Sequence, residues 1–198
     1  MTETTLILGS SSPRRAEILR FFSLPFEQIS PSFTEESVCF KGNPSDYVQE
    51  IALGKAKSLA KERPSSLLIT ADTSVFCEGK VYNKPQSYEE AFSFLQDLSG
   101  KWHSVHTAVC IAKEGRFQWG TEETRILFHP LSKEQIKHYL SHINFLDKAG
   151  AYAIQQSGAI IVKKIEGCYY NVMGLPLTLL QTLLLEEKVD LWQHLKIL

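Results

Sequence analysis

Apolar residues along the chain alternate between short continuous runs and longer stretches spaced for one helix face, the pattern of a mixed α/β domain. Leu6-Ile-Leu8 is an apolar strand that breaks through Gly9 into Ser10-Ser-Ser12 and Pro13. Ser12 suits an N-cap and Pro13 a first helical position, so a helix begins there and turns Ile18, Leu19 and Phe22 inward. Phe26–Ser30 alternates between Pro25 and Pro31 and predicts a second strand beside the first, followed by an irregular stretch up to Pro44. From Pro44 to about Glu62, Val48, Ile51, Ala52 and Leu59 share one helical stripe. Leu67-Leu-Ile-Thr-Ala-Asp72 reads as a buried central strand ending in an acid, with Ser74–Cys77 continuing extended.

Glu78-Gly79 marks a hairpin tip, and Ser87 with Glu90 a capping box for a helix through Leu98 that Gly100 stops. Two long strands follow, His103–Ala112 and Arg116–Phe128, joined at Lys113-Glu-Gly115. Ser132 and Gln135 cap a helix to about His142. Asp147–Gln156 is rich in small residues and reads as a functional loop, and Ala159–Ile165 as a strand. After the irregular patch Cys168–Pro176 a last amphipathic helix runs to about Glu187, and the tail has room for one more helical turn.

A chain of 198 residues with 43% hydrophobic content fits a single domain over residues 1–198 with a sizeable core. A formal charge of -1 and a pI near 6.6 argue against nucleic-acid or membrane partners and leave any basic site to a local cluster. Cys39, Cys77, Cys110 and Cys168 are far apart and form no C-x-x-C pair, so reduced, mostly packed thiols are expected. No apolar run has membrane-spanning length, and Met-Thr-Glu-Thr-Thr5 lacks a signal-peptide charge pattern; the expected location is the cytoplasm.

Arg14 and Arg15 in a first helical turn are mildly unfavourable unless something negative faces them, and Ser10, Ser11 and Ser12 add hydroxyl donors. The turn is therefore either a phosphate site or a capped helix with two solvated arginines. Lys55, in line with an apolar stripe, either snorkels to the rim or reaches an anion. Asp72, at the carboxyl end of a central run, stands where catalytic or metal-binding acids collect in open sheets, unless it merely starts a turn. His103 and His106 face opposite sides of a strand, which argues against a shared metal; His138 and His142 carry no metal motif.

Together Ser10-x-Ser12-Pro-Arg-Arg15, Ala71-Asp-Thr73, Lys84-Pro85, Leu98-Ser-Gly100, Asp147-Lys-Ala-Gly-Ala-Tyr152 and Gly174-Leu-Pro176 resemble the Maf family of nucleoside triphosphate pyrophosphatases across nearly the whole chain. The resemblance implies an α/β fold with a mixed elongated sheet, flanking helices and two lobes around a cleft, like inosine triphosphate pyrophosphatases. It also implies cleavage of a nucleoside triphosphate between the α- and β-phosphates, a divalent metal (Mg²⁺ or Mn²⁺), and a homodimer. Carried over by position, Asp72 is the general base and Glu35 a polar position of the pocket, with Glu36 as an alternative by spacing; the two carboxylates, Glu35 and Asp72, would hold the hydrated metal, a hard cation that favours carboxylate oxygen. Ser10, Ser12, Arg14, Arg15, Lys55, Thr73, Lys84 and Gln155 become substrate contacts, with Arg14, Thr73 and Gln155 tied to substrate choice.

Ala71-Asp-Thr73 is similar to the branch acting on dTTP and UTP, whereas the 7-methyl-GTP branch typically has Ser-Asp-Gln. A pyrophosphatase for modified nucleotides and a nucleotide-binding regulator of septum formation remain as alternatives. The chain departs from the family pattern at Gly9, usually Ala, and at Ala153 and Gln156, usually glycines, which restricts backbone conformations of the base-reading loop.

Overall fold

The computed structural model describes residues 5–196. The reading of the N-terminal Met-Thr-Glu-Thr segment lies outside the described residues. In chain order the main elements are β1 (Leu6–Gly9), α1 (Pro13–Leu19), β2 (Glu27–Ile29), α2 (Pro44–Glu62), β3 (Leu67–Cys77), β4 (Lys80–Tyr82), α3 (Tyr88–Leu98), β5 (Trp102–Lys113), β6 (Arg116–Phe128), α4 (Lys133–Leu140), β7 (Val162–Glu166), α5 (Tyr169–Val172) and α6 (Leu177–Glu186). The mixed sheet runs β2-β1-β3-β5-β6-β7, with β4 paired to β3.

β3 organises this sheet, because one of its edges changes partner along its length. Its first residues, Leu67–Thr70, pair in parallel with Leu6–Gly9, and its last, Val75–Cys77, pair antiparallel with β4. On the other edge β5 follows it without interruption from Leu68↔Ala112 to Phe76↔Ser104. Residues 71–74 therefore have a sheet partner on one edge only, and Asp72 and Thr73 lie in that gap. The extended continuation through Ser74–Cys77 is borne out, and it moves the acid from a strand end to mid-strand: β3 runs to Cys77, and Asp72 sits at a change of partner.

Alternation along β3 and β5 serves two cores. Leu67, Ile69, Ala71, Val75 and Cys77 join Val105, Val109 and Ile111 on the face covered by α1, α3, α4 and α6. Leu68, Phe76, Ala108, Cys110 and Ala112 join Val48, Ile51, Ala52 and Leu59 of α2 on the other. His103 and His106 obey the same alternation: the first packs on Phe128 and Tyr152, the second on Phe76.

Local signals explain most element ends. Asn43 caps α2 by accepting from Ser45 N at 3.0 Å, and Pro44 takes its first turn. The Ser132/Gln135 box at α4 is complete. At α3 only half of the box forms, since Ser87 accepts from Glu90 N while Glu90 reaches back to Gln86 N. Ser12 holds the N-cap position of α1 without a side-chain cap bond; its own N–H donates to Ser10 Oγ at 3.2 Å. Glu78 and Gly79 take φ of 50° and 77°, the tight hairpin turn.

Two further expectations change. Phe22 is buried, but α1 ends at Leu19, and Phe22 bridges to Leu195 instead. The strand predicted over Ala159–Ile165 is borne out only from Val162, where β7 begins; Ala159–Ile161 belong to a 3₁₀ turn over Gln156–Ile161. The tail does add a helical turn, Leu191–His194, and all four cysteines are free.

Candidate active site

The gap in pairing beside β3 opens a cleft of about 610 Å³. Ser10, Ser12, Arg14, Arg15, Glu35, Lys55, Asp72, Thr73, Lys84 and Gln155 all line it, so the opening turn and the acid of β3 face one crevice.

On one side α2 delivers Lys55 from beneath. Its stem lies along the apolar stripe, and its ammonium donates to Asp72 Oδ1 at 2.8 Å, Glu35 Oε1 at 2.7 Å and the Ala71 carbonyl at 3.3 Å, using all three protons. The last bond takes one of the backbone groups exposed by the gap in β3. Glu35, not Glu36, makes the pairing. Burial pushes the Glu35 carboxyl up, but the ammonium of Lys55, with help from Lys84 and Arg15, outweighs it and holds the group below its ordinary value. Two carboxylates about one ammonium leave a negative charge over.

The other oxygen of Asp72, Oδ2, has Ser74 Oγ only at 3.4 Å, and that hydroxyl has a better acceptor in Asn83 Oδ1 at 2.9 Å. Asn83 in turn donates to Tyr47 OH at 2.8 Å. Ser74, Asn83 and Tyr47 are additions to the sequence reading; only the position of Asn83 beside Lys84-Pro85 hinted at one of them.

On the other side Arg15 is held by neutral oxygens. Nε donates to the Gly174 carbonyl at 2.7 Å, Nη1 to Ser10 Oγ at 3.0 Å and Nη2 to Thr73 Oγ1 at 2.9 Å. Burial draws its pKa down, Asp72 and Glu35 push the other way, and a guanidinium keeps its charge in either case. Gly174 has φ of 101°, and a Cβ there would lie 3.1 Å from Thr73 Oγ1 and 3.3 Å from Arg15 Nε, so glycine is required for this approach. Arg14 differs from its neighbour: it reaches outward to Asp147, with bonds of 2.7 Å to the carboxylate and 2.9 Å to the carbonyl. Burial works against ionisation of Asp147, but hydrogen bonds from Lys148 and Arg14 keep its carboxyl below the usual range.

The loop carrying Gln155 is anchored on both flanks. Tyr152 OH meets His103 Nε2 at 3.1 Å, and Tyr139 OH donates to the Gly158 carbonyl at 3.0 Å while accepting from Ala153 N at 3.1 Å. Gln156 takes φ of 52°, a left-handed conformation that glycine would adopt without strain, whereas Ala153 does not. The other departure, Gly9, matches its packing: a methyl there would run into Leu59 and Thr70.

Glu35 and Asp72 already converge on one cation, the Lys55 ammonium, and a pair of carboxylates with space for water and phosphate oxygens suits a hard divalent ion. Among the described residues no group of three or more His, Cys, Asp or Glu could hold a metal unaided.

A family model described as Maf-like protein matches residues 5–187. The chain belongs to the Maf family. Members similar to it include a protein named dTTP/UTP pyrophosphatase from Chlamydia felis, 46% identical over 98% of this chain and 99% of that one. Another of that name, from Caldicellulosiruptor bescii, is 44% identical over 94% and 96%, and a nucleoside triphosphate pyrophosphatase from Chlamydia muridarum is 40% identical over 97% and 98%. Among solved structures, a nucleoside-triphosphatase / dITP/XTP pyrophosphatase from Mycobacterium abscessus overlaps 65% of this chain and 76% of its own at 15% identity, with a TM-score of 0.42, a likeness too distant to carry any argument.

Proposed function

We propose that this Maf-family protein hydrolyses dTTP and UTP between the α- and β-phosphates, releasing the monophosphate and pyrophosphate. The observation that carries this reading is the pair of opposed charge clusters in one cleft, Lys55 between Glu35 and Asp72 facing Arg15 among neutral acceptors. Relatives 40% to 46% identical over nearly their whole length bear the name of that activity, which supports it.

Cleaving a phosphoanhydride calls mainly for positioning water against the α-phosphorus and neutralising charge on the leaving group. Lys55 holds Asp72 by Oδ1 and leaves Oδ2 to take a proton from the attacking water. As the new bond to the α-phosphorus forms, the bond from that phosphorus to the oxygen bridging to the β-phosphate breaks. Pyrophosphate leaves with the electron pair, its charge met by Arg14, Arg15 and Lys84 and by the hydroxyls of Ser10 and Ser12. Mg²⁺ or Mn²⁺, held by Glu35 and Asp72, would supply further neutralisation of the phosphate oxygens.

We place the enzyme in the cytoplasm as a homodimer acting on a free nucleotide. Four free thiols, and no helix among the described residues long and apolar enough to cross a membrane, support the first part of that placement. The deciding experiment measures products from UTP, dTTP, CTP and 7-methyl-GTP with and without Mg²⁺. Metal-dependent pyrophosphate from UTP and dTTP is expected; orthophosphate in its place, or fastest turnover of 7-methyl-GTP, contradicts the proposal.

A further inference from the structure

A third ion cluster lines the cleft, on the segment between α4 and β7 that goes on to Gln155. Asp147 accepts from Arg14 Nη1 at 2.7 Å through Oδ2 and from Lys148 Nζ at 2.6 Å through Oδ1, while its backbone carbonyl takes Arg14 Nη2 at 2.9 Å. Arg14 and Asp147 stand 133 residues apart in sequence, so the pair ties the first turn of α1 to a distant loop on the same cleft. The loop has attachments of its own: Gly150 N donates to the Asn83 carbonyl at 3.2 Å, and Lys148 Nζ to the Asn144 carbonyl at 2.6 Å. Its place does not depend on Arg14.

One carboxylate between two cations reverses the arrangement at Lys55 and leaves a positive charge over. It also leaves Asp147 a charged partner if Arg14 departs, since Lys148 holds the other oxygen. The carboxylate and carbonyl oxygens of Asp147 meet the guanidinium as two oxygens of a phosphate do, through the two-pronged contact that arginine makes with either anion. The Arg14 side chain is 22% exposed and that of Asp147 34%, so a ligand entering the cleft can reach the pair, and water weakens it. Arg15, buried among uncharged oxygens, has no such rival.

We propose that Asp147 is a positioning residue that competes with substrate phosphate for Arg14: it acts as an internal stand-in for phosphate, and a polyphosphate chain takes the arginine over while Lys148 keeps the acid. The inference rests on the cleft taking the phosphate chain of a nucleotide. Affinity for that chain is then lowered by the fraction of Arg14 held on Asp147. Binding of the chain also unties the loop that carries Gln155 from α1.

The test measures binding of inorganic tripolyphosphate by calorimetry in EDTA, in the wild type, Asp147→Asn, Arg14→Ala and the double variant. Asp147→Asn keeps the shape and removes the charge, and it should tighten binding by about fivefold. In the Arg14→Ala background the same change should alter binding by less than about twofold, because no arginine is left to release. If Asp147→Asn does not fold, Asp147→Ser removes the same charge and should show the same gain. Unchanged or weaker binding in the charge-free variant would overturn the proposal. So would an equal gain in both backgrounds, which a bystander charge produces through its field alone. A wild type that binds no tripolyphosphate would overturn it together with the placing of the phosphate chain in this cleft. The predicted pattern in a protein that releases no pyrophosphate from UTP would support the competition for Arg14 and refute the hydrolysis alone.

Discussion

The two sides of the cleft bind their cations in opposite ways. Lys55 is met by two carboxylates, so its charge is more than cancelled on the spot. Arg15, buried where its neighbour Arg14 is partly exposed, is met by a serine, a threonine and a backbone carbonyl, none of which carries charge. A buried guanidinium with neutral partners keeps its full positive field, whereas an ammonium between two acids leaves a net negative one. The cleft is thus polarised, with one side suited to a metal cation and the other to phosphate. Counting basic residues would have missed this, because the acceptors decide what each one offers.

The largest expected effect comes from removing charge on the Lys55 side. Asp72→Asn keeps the shape but loses the proton acceptor, and kcat for UTP should fall by about 10²–10⁴-fold while the variant folds like the wild type by circular dichroism. Near-normal turnover would remove Asp72 from the chemistry and reduce the contrast between the two sides to packing.

A second prediction concerns what backs the loop wall. His103 is buried against Phe128 and Tyr152, and burial pushes its pKa down to about 4. Between the unfolded value near 6.5 and that folded value, the unfolded chain takes up a proton that the folded one refuses, so stability falls as pH drops through this window and levels off below it. The window corresponds to roughly 3 kcal/mol from this one group. Chemical denaturation of the wild type and His103→Gln at pH 7 and pH 4.5 measures it; the variant should lose much less stability on acidification, and an equal loss would show that other groups set the acid sensitivity.

Sequence signals located elements wherever the cause was local. α2 begins and ends as read because Asn43, Pro44 and the stripe through Leu59 are all in the segment itself, and β6 spans Arg116–Phe128 as expected. The strand read over Ala159–Ile165 starts three residues late, at Val162, because a short apolar string has no period to tell a strand's start from a turn packed on the core. Asp72 was singled out for a position at the end of a strand, while its setting depends on β3 exchanging β1 for β4, which no local pattern records. Lys55 was legible as an anomaly on an apolar stripe, though its partners were not. Arg14 and Arg15 look equivalent in the chain and differ because Gly174, 159 residues away in sequence from Arg15, and Thr73 bring neutral oxygens to one, while Asp147 brings a carboxylate to the other.

The polarity of the cleft is tested most directly by calorimetric binding of a non-hydrolysable UTP analogue in the presence of EDTA, comparing the wild type with Asp72→Asn and Arg15→Lys. Without metal, the negative side repels the triphosphate and the positive side holds it, so Arg15→Lys should weaken binding by about tenfold as its fixed fork of hydrogen bonds is lost, and Asp72→Asn should tighten it. Shifts of the same sign in both variants would contradict the account.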